Sequence, residues 1–86
     1  MKTITFRNHV VIVTGASSGI GKALSLQLAD EEASLSLAAR KSERLDALVR
    51  ECKNRGSSAI AIPTDVSNEQ NCQALIEKTI QQFGFY

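Results

Sequence analysis

Short apolar runs alternate with longer amphipathic stretches along the chain. The first run, Val10–Val13, consists of four consecutive β-branched residues without polar alternation, and it predicts a strand over 8–14 that is buried on both faces. Residues 34–39 alternate between polar and apolar and predict a second strand. A third short strand is expected over 58–63, where Pro63 ends it because proline cannot donate to a ladder.

Apolar residues at helical spacing predict a helix after each strand. The helices are expected from 18 or 19 to 30, from 42 to 55, and from 67 to Gly84. The residues expected to face the sheet are Ile20, Ala23, Leu24 and Leu28 in the first helix, Leu45, Leu48, Val49 and Cys52 in the second, and Cys72, Leu75, Ile76, Ile80 and Phe83 in the third.

Capping residues predict how these helices begin and end. Ser42 is the expected N-cap of the second helix, and Gly56 is its stop. Ser67, with Gln70 three residues later, has the pattern of a capping box for the third. After the first helix, where glycine is the usual residue, the chain has Glu32, which predicts an altered or strained turn costing about 1 kcal/mol.

The alternation of strands and helices with short loops indicates an α/β fold with a parallel sheet. Right-handed crossovers place the strands in the order 3-2-1, with the first two helices on one face and the third on the other. We therefore predict a Rossmann-type, three-layer α/β/α unit. In this arrangement the apolar first strand lies at an open edge, so we expect the chain by itself to be marginally stable or self-associating.

The segment Thr-Gly-Ala-Ser-Ser-Gly-Ile-Gly at 14–21 joins the first strand to the first helix. Glycines allow a tight turn and a close approach of the backbone to a diphosphate, and the free N–H groups of the new helix face the anion. Glycine clusters also form ordinary turns, but a strand before the segment and a helix after it favour phosphate binding.

The composition argues against several classes of protein. The 86 residues have a formal net charge of +1 with scattered cations, so nothing indicates a nucleic acid or an anionic membrane as partner. No apolar run approaches a membrane span or the core of a signal peptide, so we expect a cytoplasmic protein. Cys52 and Cys72 have no metal-ligand neighbours and His9 is the only histidine, so no metal site is predicted. Both cysteines are expected to be small core residues.

The segment at 14–21 resembles the nucleotide-binding signature of the short-chain dehydrogenase/reductases. Ala39-Arg40 after the second strand and Asp65-Val66 after the third strand stand at the spacing of that family. The resemblance covers roughly residues 8–84 and only the N-terminal part of the family's domain. It implies that 1–86 is the N-terminal portion of an NAD(P)-binding Rossmann domain, ending where a fourth strand would follow.

The resemblance implies a set of cofactor-binding residues. Ser17 and Ser18 are either hydroxyl donors to phosphate oxygens or plain polar loop residues. Asp65 would accept from the adenine amino group with Val66 beside the ring, although an aspartate here also suits a turn before the helix. The implied cofactor-binding residues are Gly15, Ser17, Ser18, Gly19, Ile20, Gly21, Arg40, Asp65 and Val66.

Arg40 bears on the choice between the two nicotinamide cofactors. Ala39 stands where an acidic residue would bind the ribose hydroxyls of NAD, and the Arg40 guanidinium suits the 2′-phosphate of NADP. Lys41 and Ser42 are candidates to assist. The alternative for Arg40 is a solvated charge at a strand end. We therefore predict NADP(H), with NAD less favoured.

No catalytic group is identified in the 86 residues. The family's tyrosine, the lysine four residues after it, and its serine and asparagine lie further along the family's domain, whereas the only tyrosine here is Tyr86. The resemblance implies part of an oxidoreductase that moves hydride between NADP(H) and a carbonyl or alcohol, associates as a homo-oligomer when complete, and is inactive as 1–86 alone. The alternatives are a stand-alone nucleotide-binding or interaction module and, less favoured, a methyltransferase.

Overall fold

The computed structural model describes residues 9–40 and 42–84, which form three strands and three helices in strict alternation. The predictions that involve Asn8, Lys41 and Tyr86 lie outside the described residues. The elements in chain order are β1 (Val10–Thr14), α1 (Gly19–Asp30), β2 (Ser34–Ala39), α2 (Glu43–Asn54), β3 (Ser58–Pro63) and α3 (Glu69–Phe83).

The three strands form one parallel sheet with β2 in the middle. The predicted order 3-2-1 is confirmed, since it is the same arrangement read from the opposite edge. Thr14 pairs with Ala38, and Ala39 pairs with Pro63, so all three strands end at nearly the same level. The turns after the strands therefore meet along one edge of the sheet, where open α/β sheets bind ligands.

The helices cover the two faces of the sheet as predicted. On the face covered by α1 and α2, the core includes Leu35 and Leu37 of β2 together with Leu48 of α2. On the opposite face, Leu75 of α3 packs with Ala38 and Ile62. This is the three-layer α/β/α architecture of a Rossmann-type fold.

Two of the predicted capping residues are confirmed and one is wrong. Ser42 Oγ accepts from Leu45 N at 3.2 Å and caps α2, and the left-handed Gly56 (φ 97°) follows its last turn. The cap of α3 is Asn68, whose Oδ1 accepts from the amide of Asn71 at 3.1 Å. The predicted capping box fails because the hydroxyl of Ser67 is engaged by the preceding aspartate instead.

The turn after α1 is altered in the way that the sequence predicts. Glu32 has φ 68°, and it is the non-glycine residue with positive φ within residues 9–40 and 42–84. Its amide donates to Ala29 O at 3.0 Å, which closes the last turn of the helix. A side chain in this left-handed conformation meets its own backbone, so the turn is strained where glycine would not be.

The apolar face predicted for α1 is only partly correct. Leu28 is buried, but Ala23 is exposed, and so are Ile20 and Leu24 at 86% and 46%. The face that packs on the sheet is formed by the small residues Gly21 and Ser25 together with Leu28 and Ala29. Small side chains let the helix axis approach the sheet closely, and this close approach turns the larger apolar side chains outward.

The faces predicted for the other two helices differ in accuracy. In α2 the predicted stripe is confirmed, with Leu45, Leu48 and Cys52 buried and Val49 packed against them. In α3 only Leu75 of the predicted residues is buried; Ile76 and Ile80 are exposed, and Cys72 and Phe83 are half-buried. The helix packs mainly on β2. The side chains of α3 that lie beyond this strand are therefore not covered by described residues.

The prediction that β1 is buried on both faces is wrong. Val13 is buried among α1 and β2, but Ile12 on the opposite face is 38% exposed. In the described residues β1 is an edge strand with one neighbour, and α3 packs mainly on β2. Among these residues, no helix is both long and apolar enough to cross a membrane.

Candidate functional site

The loop between β1 and α1 is shaped by a left-handed glycine. Gly15 has φ 62°, a conformation that a residue with a Cβ adopts only at a cost. The next amide, Ala16 N, donates to Ala38 O at 3.1 Å and so ties the loop to β2. This bond therefore fixes the loop to the central strand of the sheet, whose carboxyl end lies at the ligand-binding edge.

Gly21 and Gly19 serve the loop in different ways. A Cβ on Gly21 would lie 2.2 Å from Gly15 O and 2.9 Å from Ala16 Cα, so only glycine allows the helix to pack this closely on the loop. A Cβ on Gly19 would meet nothing within 4 Å, because the start of α1 faces open space. The backbone N–H groups of Gly19 and Ile20 at this exposed start of the helix can thus donate to an anion.

The two serines of the loop have different surroundings. Ser18 is the N-cap of α1: its Oγ accepts from Gly21 N at 3.2 Å and donates to Gly15 O at 2.8 Å. These two bonds give Ser18 the structural role that the sequence left open. Ser17 is half-buried and its surface faces two cavities beside the loop.

The larger of these cavities has a volume of about 440 Å³ and lies along the carboxyl edge of the sheet. It brings together the three segments that the sequence singled out, because each follows a strand of the same sheet. The predicted residues that line it are Gly15, Ser17, Ser18, Arg40, Asp65 and Val66. Its donors, cations and exposed apolar surface suit a phosphorylated ligand with an aromatic base.

Asp65 is held in a turn before α3. Its Oδ1 accepts from Ser67 Oγ at 2.6 Å and from Ser67 N at 3.0 Å. These bonds, and more weakly the positive charge of Arg40, hold the pKa of the Asp65 carboxyl below its usual value. The carboxylate therefore stays ionised at neutral pH and can accept from a ligand amino group.

The smaller cavity, of about 340 Å³, lies between α1 and α2. Ser17, Gly19 and Lys22 line it from the side of α1, and Arg44 and Glu51 line it from the side of α2. The two cavities share Ser17 and Arg44, so they are neighbouring spaces beside the same loop.

Sequence reasoning did not assign Arg44, Thr64 or Ser67 to the larger cavity, and two of its predicted site residues line neither cavity. The sequence signal for Arg44 was only a second arginine four residues after Arg40, at the expected start of a helix. Thr64 is buried, and its amide donates to Ala39 O at 2.8 Å. Ile20 and Gly21 line neither cavity, and their part in cofactor binding stays a prediction.

The two cysteines are free and lie apart from each other in the fold. Cys52 is buried, as predicted, and burial together with the nearby charge of Glu51 raises the pKa of its thiol. Cys72 is only half-buried, with Sγ at 3.5 Å from Val66 O. Within residues 9–40 and 42–84, no group of three or more potential metal ligands comes together.

A protein-family model described as short chain dehydrogenase matches residues 9–85. The chain belongs to the short-chain dehydrogenase/reductase family. Members of this family bind nicotinamide dinucleotides, and the loop with its accessible helix start fits the diphosphate of such a cofactor.

Known short-chain dehydrogenase/reductases resemble this chain over nearly its whole length. An uncharacterized oxidoreductase of Listeria monocytogenes is 44% identical over 81 residues, which cover 94% of this chain and 33% of the relative. An 11-beta-hydroxysteroid dehydrogenase-like protein of Arabidopsis thaliana is 41% identical, with 98% and 29% covered. The crystal structure of a hydroxysteroid dehydrogenase from Escherichia coli superposes with a TM-score of 0.88 at 29% identity, covering 93% of this chain and 34% of that one.

The 86 residues thus span about a third of the length of the curated relatives that they match. The matched third contains the glycine loop and the ends of the first three strands. The chain is therefore similar to the part of these oxidoreductases that the sequence predicted, the N-terminal part of a Rossmann-type domain.

Proposed function

We propose that the chain is the NADP(H)-binding part of an oxidoreductase that transfers hydride between NADP(H) and a carbonyl or alcohol substrate. The observation that supports this most directly is that one cavity joins the glycine loop, Arg40 and the Asp65–Val66 turn. The bound cofactor supplies the hydride chemistry, and the residues of this chain supply binding and orientation.

In this proposal the diphosphate lies at the start of α1. The left-handed Gly15 turns the loop out of the way, and Gly19 leaves the space in front of the helix open. The backbone of Gly19 and Ile20 offers N–H groups to the phosphate oxygens, and the positive end of the helix dipole favours their charge. Ser17 adds a hydroxyl donor from the wall of the cavity.

Arg40 selects the cofactor in this proposal. Its guanidinium lies at the end of β2 in the cavity that also contains the loop, where it can pair with the 2′-phosphate of the adenine ribose. Ala39 is buried and offers no carboxylate to the ribose hydroxyls, as an NAD-binding site would. Both features favour NADP(H) over NAD(H).

The adenine ring is assigned to the turn after β3. The ionised Asp65 accepts from the adenine amino group, while Val66, which is 59% exposed, covers one side of the ring. The turn bonds from Ser67 hold Asp65 in position for this role, so the structural and the binding roles of the aspartate are compatible.

The cofactor assignment is tested by measuring the dissociation constants of NADPH and NADH for the complete protein and for Arg40→Ala. We expect Arg40→Ala to weaken NADPH by roughly 10- to 100-fold, because a charge-assisted bond is lost, and to change NADH little. Arg50→Ala, on the exposed side of α2, is the control and should change neither. Equal losses for both cofactors would contradict the assignment.

The activity of the chain by itself is a separate matter. We propose that 1–86 alone does not reduce carbonyl substrates, because the tyrosine and lysine that the family uses for proton transfer lie beyond it. Turnover of NADPH by purified 1–86 would contradict this. The stand-alone binding module would instead be favoured if the gene encodes no further domain. Homo-oligomerisation of the complete protein and its cytoplasmic location stay predictions.

A further inference from the structure

Arg44 differs from the other cations beside the glycine loop in its position. It stands in the first turn of α2, four residues after Arg40, and it lines both cavities. Ser17 of the loop is the other residue that the two cavities share, so Arg44 and Ser17 both border the place where the two cavities adjoin, called here the passage. A group bound beside Ser17 is therefore within the space that Arg44 lines.

The arginines beside this passage differ in how far nearby carboxylates balance their positive charge. Arg40 shares its cavity with the ionised Asp65, whose carboxyl feels the positive charge of the arginine. In the smaller cavity Glu51 is 3.4 Å from Arg55, which also pairs with Asp30 at 2.8 Å. Among the described residues, Arg44 forms no ion pair with a carboxylate. Its positive charge is thus available to a ligand.

A phosphate monoester requires more than one such charge. At neutral pH it bears a charge of about −1.5 to −2, since its second pKa is about 6. One arginine that is partly balanced by an aspartate does not neutralise this charge, whereas a diester phosphate or a ribose hydroxyl does not need a second cation. A residue that selects NADP(H) over NAD(H) must therefore respond to the extra negative charge of the monoester phosphate.

We propose that Arg44 is a second specificity-determining residue of this site, which binds the 2′-phosphate of NADP(H) together with Arg40 in the cavity that both residues line. The proposal rests on the cofactor assignment made above and extends it from one cation to two. The phosphate lies between the end of β2 and the first turn of α2, next to Ser17. Arg40 and Arg44 then each balance part of the negative charge of the phosphate dianion.

The test uses the complete protein and compares wild type, Arg44→Gln and Arg44→Lys, with Arg50→Gln as a control on the same helix. Dissociation constants of NADPH and NADH are measured for each. We expect Arg44→Gln to weaken NADPH by roughly 10- to 100-fold while NADH changes little, because only NADPH has the monoester phosphate. Arg44→Lys keeps the charge and should retain much of the preference. Retained NADH binding shows that each variant is folded.

A second readout is the pH dependence of NADPH affinity. As the 2′-phosphate loses its second proton between about pH 5.5 and 7.5, the affinity of the wild-type protein should rise, since the dianion binds two arginines more strongly. In Arg44→Gln this rise should be smaller. NADH affinity should show no such slope in either protein.

The outcomes separate this inference from the proposal on which it rests. If the wild-type protein prefers NADH, the NADP(H) assignment fails and the role of Arg44 fails with it. If the wild-type protein prefers NADPH and Arg40→Ala removes that preference while Arg44→Gln does not, only the role of Arg44 is overturned. Equal loss of both cofactors in Arg44→Gln also overturns it, because the residue would then be needed for the fold.

Discussion

The carbonyl oxygen of Gly15 lies where a Cβ of residue 21 would have to be, with only 2.2 Å between the two positions. The contact joins the first and the last glycine of the loop and brings the start of α1 down onto the end of β1. Glycine is therefore needed at position 21 for the packing of α1 on the loop. At position 19 it instead keeps the space in front of the helix open for a ligand.

Gly21→Ala and Gly19→Ala form a matched pair of substitutions on the same helix. We expect Gly21→Ala to lower the free energy of unfolding by about 1–3 kcal/mol, because the methyl group must displace backbone atoms. Gly19→Ala should leave stability nearly unchanged, since its methyl group meets no protein atom, but should weaken dinucleotide binding. Urea unfolding and cofactor titration distinguish the two effects. Similar unfolding curves for both variants would contradict the packing role.

Glu32→Gly is expected to stabilise the protein. The left-handed conformation at φ 68° costs an ordinary side chain about 1 kcal/mol, and glycine removes that cost. Glu31, with φ −91°, is the matched control, because glycine there adds flexibility without relieving strain. A higher melting temperature for Glu32→Gly and a lower one for Glu31→Gly are expected. If both variants melt at the same lower temperature, the turn is not strained.

The buried hydroxyls of Thr79 and Ser36 lie 2.7 Å apart and join α3 to β2. Thr79→Val leaves the Ser36 hydroxyl buried without this bond and should reduce the free energy of unfolding by about 1–3 kcal/mol. Adding Ser36→Ala should cost less in the Thr79→Val background than in the wild type. A double-mutant cycle measures this coupling, and additive effects would show that the two hydroxyls do not stabilise each other.

Ser67→Ala is expected to raise the pKa of Asp65. The Ser67 hydroxyl donates to the carboxylate at 2.6 Å and is the main cause of its lowered pKa. Since the pKa is lower in the folded protein, this interaction stabilises the fold above the usual aspartate pKa and is lost as the pH falls through the lowered value. An NMR titration of the Asp65 carboxyl carbon measures the shift. An unchanged pKa of Asp65 in Ser67→Ala would contradict the role of this bond.

Much of the fold and of the site can be predicted from the sequence because the signals are local. A β-branched run, an alternating segment and Pro63 define the three strands to within about two residues. Parallel pairing then places the turns after the strands at one edge, which is enough to bring Arg40 and Asp65 beside the loop. No distance between the elements was needed for these predictions.

The predictions that failed depend on how closely the elements approach one another. The periodicity of α1 indicates an apolar face that includes Ile20, but the helix packs closely at Gly21 and leaves Ile20 exposed. Ser67 and Asn68 are both good caps, and the choice between them follows from the bond of Ser67 to Asp65. An arginine near the start of a helix, such as Arg44, is too common a pattern to indicate a site, and only its place beside both cavities distinguishes it.

The position of β2 between its two neighbours has a consequence for the cooperativity of unfolding. Ala38 pairs with Thr14 on one side and with Ile62 on the other, so the loop and the Asp65 turn belong to one continuous pair of ladders. A dinucleotide that touches both turns binds only when both ladders are formed, and its binding energy is added to the stability of the whole sheet. Amide hydrogens of β3 should then exchange more slowly when a ligand occupies the loop that follows β1.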